Sequence, residues 1–250
     1  DSVRAVFPEG EQLYAGAGQS RRSGQNTVIF LYCVFERACN MHIAHQGFIH
    51  AVRQAGMINA QAVRNRLKLV KQEIRRAILR FSNHQEVRLL SLAAGSAQGV
   101  IEVMAELKSK GIRVRALLLD IDQTALDYAQ VLAKSYGVGD QIETVKASVA
   151  QVARVSKEFR PQVIEMLGLL DYIPQDKAIR LVGKIRESLE SKGIFLTCNI
   201  YHNLEMHFLK WVIKWAMIYR TPAELAEIVT EAGFDDYRLI YEPLKIHGLV

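Results

Sequence analysis

Cysteine is scarce in this chain: three in 250 residues, Cys33, Cys39 and Cys198, with no Cys-x-x-Cys pair. That excludes a disulfide scaffold and fits reduced thiols, and the expected compartment is the cytoplasm. Cys33 and Cys198 stand in apolar runs and read as packed side chains. Proline is rare, and neither an internal repeat nor a low-complexity tract occurs. Long apolar runs are missing. The longest, Val28–Phe35, is far short of the roughly 20 residues a membrane helix needs, and no secretory signal pattern opens the sequence. Also absent are Gly-x-Gly-x-x-Gly and a phosphate-loop Gly-Lys-Ser/Thr, which argues against a pyrophosphate or triphosphate ligand. No basic-aromatic pattern of a nucleic-acid reader is present.

What remains is an ordinary globular composition, half of it hydrophobic. The net charge of +6 is uneven. Residues 1–80 hold 12 basic and 5 acidic side chains, while residues 81–250 hold 20 and 21. Arg64, Arg66, Lys68, Lys71, Arg75 and Arg76 recur among apolar residues at helical spacing and read as a solvated helix face.

Residues 1–26 are rich in glycine and serine and read as a loop or arm, with Arg21-Arg22 on it. Residues 27–56 predict one or two helices. An amphipathic segment follows over 60–81, with Asn59 or Ser82 as its punctuation. From Val87 the pattern becomes alternating strands and helices: strands over 87–92, 114–119, 142–145, 163–167 and 194–199, and helices over 100–110, 124–136, 149–158, 176–190, 205–218 and 222–232. Segments 237–241 and 246–250 close the chain as a hairpin-linked strand pair. Such alternation implies an α/β fold with a mainly parallel sheet covered on both faces. We therefore divide the chain into a helical N-terminal region, 1–81, and an α/β domain, 82–250.

The centre of that domain is VRLLSLAAGSAQG, residues 87–99. An apolar strand breaks into small residues and a helix follows at once. Backbone can approach a ligand there, and the helix presents its free N–H groups. Only Gly95 and Gly99 are glycine, so the turn suits a ligand less charged than pyrophosphate. Asp120 ends the second strand about twenty residues on, where a carboxylate can accept bonds from ribose hydroxyls; as an alternative it caps the next helix.

The turn, the acid and their order resemble a class I S-adenosylmethionine-dependent methyltransferase. LLLDIDQTALDYA (117–129), the 161–200 stretch with Lys192-Gly193, YRTPAELAEIVTEAGF (219–234) and the terminal strand pair resemble further parts of that family. The 161–234 stretch also resembles a poorly characterised bacterial methyltransferase group. The resemblance covers about residues 60–250. It implies a Rossmann-like, mainly parallel seven-stranded sheet with an antiparallel last strand, plus a helical N-terminal appendage. It implies S-adenosylmethionine as cofactor: Ala93, Ala94 and Gly95 lining the methionine part, Asp120 on the ribose, Ile121 packing on adenine, Ala147 and Ser148 at the adenine edge, and Met166, Leu167 and Gly168 toward the sulfonium. Three departures stand out. Ser91 replaces the usual acid before the first glycine, Ala93 and Ala97 replace two of three glycines, and Lys146-Ala147-Ser148 lacks the acid that usually follows the third strand. Ser91 can hydrogen-bond the methionine amino group but cannot neutralise it.

On the acceptor side, Tyr201, His202 and Glu205 follow the fifth strand, and His202 is the candidate general base. The alternative is a capping cluster around Asn203. Cys39, His42 and His45, with His50 nearby, stand at helical spacing, but no fourth ligand is evident and no metal is expected. Phe208, Trp211, Trp215 and Tyr219 read as core or subunit contact. The expected partner is a small-molecule methyl acceptor, with a lipid-like acceptor second, and peripheral membrane contact and a homodimer are both compatible with the sequence. Two rival readings are a methyltransferase-like binding protein without catalysis and a Rossmann oxidoreductase.

Overall fold

The computed structural model describes residues 46–212 and 214–250, with only the backbone described for 46–57. The first described element is one long helix, α1 (Gln46–Leu79). Then come β1 (Val87–Leu92), α2 (Gln98–Ser109), β2 (Val114–Asp120), α3 (Gln123–Ser135), β3 (Ile142–Lys146), α4 (Val152–Phe159), β4 (Val163–Met166), α5 (Gln175–Ser188), β5 (Ile194–Ile200), α6 (Met206–Trp211), α7 (Pro222–Glu231), β6 (Ile240–Tyr241) and β7 (His247–Leu249). The strands form one seven-stranded sheet in the order β3-β2-β1-β4-β5-β7-β6. β1 to β5 are parallel, and β7 is antiparallel to both β5 and β6. This is the mainly parallel sheet with a reversed last strand that the sequence predicts.

Strands covered on both faces must be apolar throughout. Leu89, Leu90 and Leu92 of β1 and Leu118 and Leu119 of β2 are all fully buried. One core gathers Leu89 and Leu118 with Ile74 and Ile78 of α1, Ile101 and Met104 of α2, and Leu126 of α3. The other gathers Leu90, Leu119 and Ile164 with Val152 of α4, Val182 of α5 and Ile228 of α7. Local chemistry sets the helix starts. Asp122 caps α3 by accepting from the Thr124 N–H, and Thr221 and Glu224 form a reciprocal capping box on α7 with Pro222 in its first turn.

Three segments differ from the expectation. Asn59 does not open a new helix; α1 runs through it. An isolated Gly56 or Asn59 weakens a helix by about 1 kcal/mol or less, too little to stop one whose later face is buried. The 205–218 helix shortens to Met206–Trp211. Beyond it Lys214 is left-handed (φ 61°), and the backbone is drawn toward the loop after β4: Ile218 N donates to Asp171 O at 2.7 Å, and Asn199 donates to Ile218 O. Trp215 bonds the Tyr172 hydroxyl, whereas Trp211 is 62% exposed and is not core. The first of the closing strands spans only Ile240–Tyr241.

The basic face of α1 is paired as well as solvated. Lys71 meets Glu102 and Arg75 meets Glu106, both on α2, while Glu73 takes Arg76 and Arg238. Arg66 departs from that face. It is half-buried, and its guanidinium lies 3.9 Å from the Cys198 sulfur on β5. α1 is tied to the far edge of the sheet by Asn65, which donates to Glu242, the buried carboxylate that also accepts three N–H groups of the β6–β7 turn.

Candidate active site

Chain order reverses between β1 and β4: β1 leads outward to β2 and β3, and β4 leads outward to β5. The crevice beyond the carboxyl ends of strands at such a switch point is where open α/β sheets take ligands.

The turn after β1 is built from left-handed residues at alternate positions, Ala93 (φ 52°), Gly95 (φ 54°) and Ala97 (φ 49°). Glycine adopts this backbone without strain, whereas an L-residue is strained by roughly 1–2 kcal/mol. The two alanines noted as departures therefore stand at positions that favour glycine, and the surroundings hold them there. Ala94 N donates to Leu119 O at 3.1 Å, Ala97 N to Ala94 O at 2.8 Å, and Gly95 N to Asp120 Oδ2 at 2.9 Å. No side chain caps the N-terminus of α2 behind the turn.

Asp120 is 3% exposed, and its second oxygen accepts the Asp122 N–H at 2.9 Å. Asp122, not Asp120, caps α3. A carboxylate has acceptor capacity beyond these two N–H donors. Ile121 beside it is 54% exposed, an apolar side chain at the end of β2. Ala147 N donates to Asp120 O at 2.9 Å, which laces β3 to the same edge. Ser148 follows, exposed, with its hydroxyl accepting from Ala150 N. At the end of β4, Met166 is buried and its carbonyl accepts from Thr197 at 2.7 Å. Leu167 and Gly168 are half-buried, and Gly168 (φ 78°) faces the Arg66 guanidinium. The structure thus sets Ser91, Ala93, Ala94, Gly95, Asp120, Ile121, Ala147, Ser148, Met166, Leu167 and Gly168 on adjoining strand ends of β1 to β4.

Tyr201, His202 and Glu205 stand apart from these, after β5. Tyr201 N donates to Ile246 O, and its ring meets the edges of His202 and Tyr241. His202 is exposed, with its ring centroid 5.7 Å from that of Tyr219. The Glu205 carboxylate is 5% exposed and occupied by the backbone N–H groups of Ile58 and Asn59 and by the Asn59 side chain. It anchors α1 to the β5 loop. Cys39, His42, His45 and the Arg21-Arg22 pair lie outside the described residues, and for His50 only the backbone is described. Among the described residues no three His, Cys, Asp or Glu side chains gather as metal ligands.

Buried ionisable groups near the switch point escaped the sequence reading. Glu165 on β4 is 4% exposed and accepts a hydrogen bond from Ser91 Oγ, its register partner on β1. Asp171, 3% exposed, accepts the Ile200 N–H at 2.8 Å. Arg220, also 3% exposed, donates to Leu170 O, Ile173 O, Asn199 and Gln175. His247 is buried with neither ring nitrogen bonded. The signal for Glu165 was an acid inside the apolar run VIEML; reading that run as plain strand concealed it.

Burial pushes the Glu165 carboxyl up to about 7, against the Ser91 hydrogen bond, and Asp171 up to about 6, against the Arg66 charge. Both hold protons more tightly folded than unfolded. Their contribution is full below pH 4 and is lost as pH rises through about 6 and 7. Burial drives His247 the other way, well below its usual value, so its contribution is present above pH 6.5 and lost on acidification. The share of Glu165 is therefore read as a difference. Glu165→Gln is expected to gain stability relative to the native chain between pH 5 and 8, by up to about 3 kcal/mol in urea unfolding. A constant difference across that range contradicts this assignment.

Comparison with known proteins places this arrangement. No curated protein sequence matches the chain. Among solved structures, a Bordetella parapertussis protein described as a possible exported protein aligns with 17% identity and TM-score 0.65 over 76% of this chain and 67% of its own. A Geobacter sulfurreducens S-adenosylmethionine-dependent methyltransferase, solved with S-adenosyl-L-homocysteine, aligns with 16% identity and TM-score 0.52 over 68% and 65%. An O-methyltransferase family 2 protein from Planctomyces limnophilus, complexed with apigenin, gives 20% identity and TM-score 0.53 over 65% and 49%. At these identities the likeness is one of fold. The reversed β7 and the absent Gly-x-Gly-x-x-Gly run against the oxidoreductase alternative. No helix of the described residues is long and apolar enough to cross a membrane. A family model described as "Putative methyltransferase" matches residues 40–247, most of the chain, and the protein belongs to that family.

Proposed function

We propose that the protein transfers a methyl group from S-adenosylmethionine to a small-molecule acceptor. The observation that carries this reading is the single edge made by the left-handed Ala93–Ala97 turn, the buried Asp120 carboxylate and the exposed Ile121. Side-chain-poor backbone, a ribose acceptor and an apolar face suit an adenosyl group. S-adenosylmethionine supplies an electrophilic methyl on a sulfonium sulfur. The chain's part is to align and to exclude water. Asp120 holds the ribose, Ile121 and Ala147 flank the adenine with Ser148 at its edge, and Ala93, Ala94 and Gly95 bring backbone to the methionine part. Met166, Leu167 and Gly168 border the methyl.

Residues 82–250 form the cofactor domain in this reading, and residues 1–81, of which α1 is the described part, serve the acceptor side. A lipid-like acceptor and a homodimer remain secondary proposals. His202 removes the acceptor's proton where the acceptor carries one, and Tyr201 borders it. Glu205 acts indirectly, by seating α1. The test is transfer of labelled methyl to a panel of phenols, carboxylic acids and amines, read as acceptor labelling with equimolar S-adenosylhomocysteine. For an acceptor found this way, His202→Ala is expected to lower kcat about 100-fold with little change in cofactor affinity. Unchanged turnover removes His202 as the base.

A further inference from the structure

β1 lacks a carboxylate at its ligand end, since Ser91 stands there. The structure puts one directly across the ladder. Ser91 and Glu165 are register partners on β1 and β4, the two strands between which chain order reverses, and Ser91 donates its hydroxyl hydrogen to Glu165 Oε1. We propose that Glu165 carries the negative charge absent from β1, and that its ligand is the α-ammonium group of the methionine part of the cofactor. The proposal rests on the S-adenosylmethionine reading above.

Two observations beyond the register support it. A carboxylate buried to 4% exposure is costly unless a cation or several donors meet it. Ser91 supplies one neutral donor, and among the described residues no lysine, arginine or histidine forms an ion pair with Glu165. Arg66, the half-buried guanidinium on this side of the sheet, instead acts on Asp171, Cys198 and His247. Location is the second observation. Glu165 immediately precedes Met166, Leu167 and Gly168, and Ser91 lies two residues before Ala93. The under-partnered carboxyl therefore lies between the β1 end that meets the methionine part in this reading and the β4 end that borders the methyl. An ammonium brings both the charge and the hydrogen-bond donors that this carboxylate lacks.

The experiment compares two ligands that share the thioadenosine part. S-adenosylhomocysteine carries the α-amino acid; 5′-methylthioadenosine does not. Calorimetric titration of Glu165→Gln is expected to show S-adenosylhomocysteine affinity reduced tenfold or more, with 5′-methylthioadenosine affinity within twofold of the native chain. Equal losses for both ligands, or none for either, overturn the proposal. A native chain that binds 5′-methylthioadenosine as tightly as S-adenosylhomocysteine also overturns it, while leaving the adenosyl site standing. A native chain that binds neither ligand overturns the cofactor reading and this proposal with it. Ser91→Asp combined with Glu165→Gln moves the charge back to β1, and serves as the second variant should the single one fold poorly. It is expected to recover the preference for S-adenosylhomocysteine; a preference as low as that of 5′-methylthioadenosine alone would dictate overturns the ammonium assignment.

Discussion

Asp120→Ala is expected to weaken S-adenosylhomocysteine binding by at least about tenfold, the loss of one or more charge-assisted hydrogen bonds to ribose. Two effects contribute. The carboxylate is the proposed ribose acceptor, and it also holds the turn by accepting from Gly95 N at 2.9 Å and from Asp122 N at 2.9 Å. Removing it frees a left-handed turn in which Ala93 and Ala97 are already strained. The two are separable. Asp120→Asn keeps one oxygen as acceptor and places an NH₂ where the other stood. If the turn is the main loss, thermal stability falls in step with affinity across both variants. If ribose binding dominates, affinity falls further than stability predicts. Calorimetry beside a thermal melt reads both quantities, and unchanged affinity in Asp120→Ala removes the ribose assignment.

Arg220→Met carries the largest expected loss of stability, about 3–5 kcal/mol. The guanidinium is 3% exposed and satisfies Leu170 O at 2.6 Å, Ile173 O, the Asn199 side chain and Gln175 Oε1 at 2.8 Å. It joins the loop after β4 to β5 and to the start of α7. Methionine fills much of the volume but donates nothing, so the buried Leu170 carbonyl, the half-buried Ile173 carbonyl and the Asn199 oxygen lose their partner. Burial raises the Asp171 carboxyl against the opposing Arg66 and Arg220 charges, and the variant removes part of that opposition too. Lysine is not an adequate substitute, because one ammonium cannot reproduce the planar fork. Urea unfolding measures the effect. A loss under about 1 kcal/mol contradicts the view that this arginine organises the loop.

Much of the sheet was legible because its strands are apolar on both faces and its helices end at glycine or begin at caps. β1 matches the sequence reading residue for residue, and, apart from the 205–218 helix, which ends seven residues early at Trp211, the other boundaries of the α/β part fall within three residues of it. The failures share one cause. Residues 214–219 have the composition of a helix, but Asp171 and Asn199, distant in sequence, claim the backbone N–H and C=O of Ile218. Asn59 has the chemistry of a cap, yet Glu205, 146 residues on, receives its N–H inside a continuous helix. At the site the pattern repeats. Asp120 was legible because its position follows from the strand before it. Glu165 was not, because its meaning depends on lying opposite Ser91, a fact of strand order. Arg66 shares a spacing with neighbours such as Lys71 and Arg75, which pair with α2 carboxylates, whereas its own guanidinium lies beside Cys198 on β5.

The central claim is that the edge beyond β1, β2 and β4 holds an adenosyl sulfonium cofactor. Isothermal titration of the full chain with S-adenosylmethionine and with S-adenosylhomocysteine tests it most directly. The account predicts saturable binding of both with one site per chain, sensitive to Asp120→Ala. Absence of binding by either ligand at millimolar concentration would contradict it.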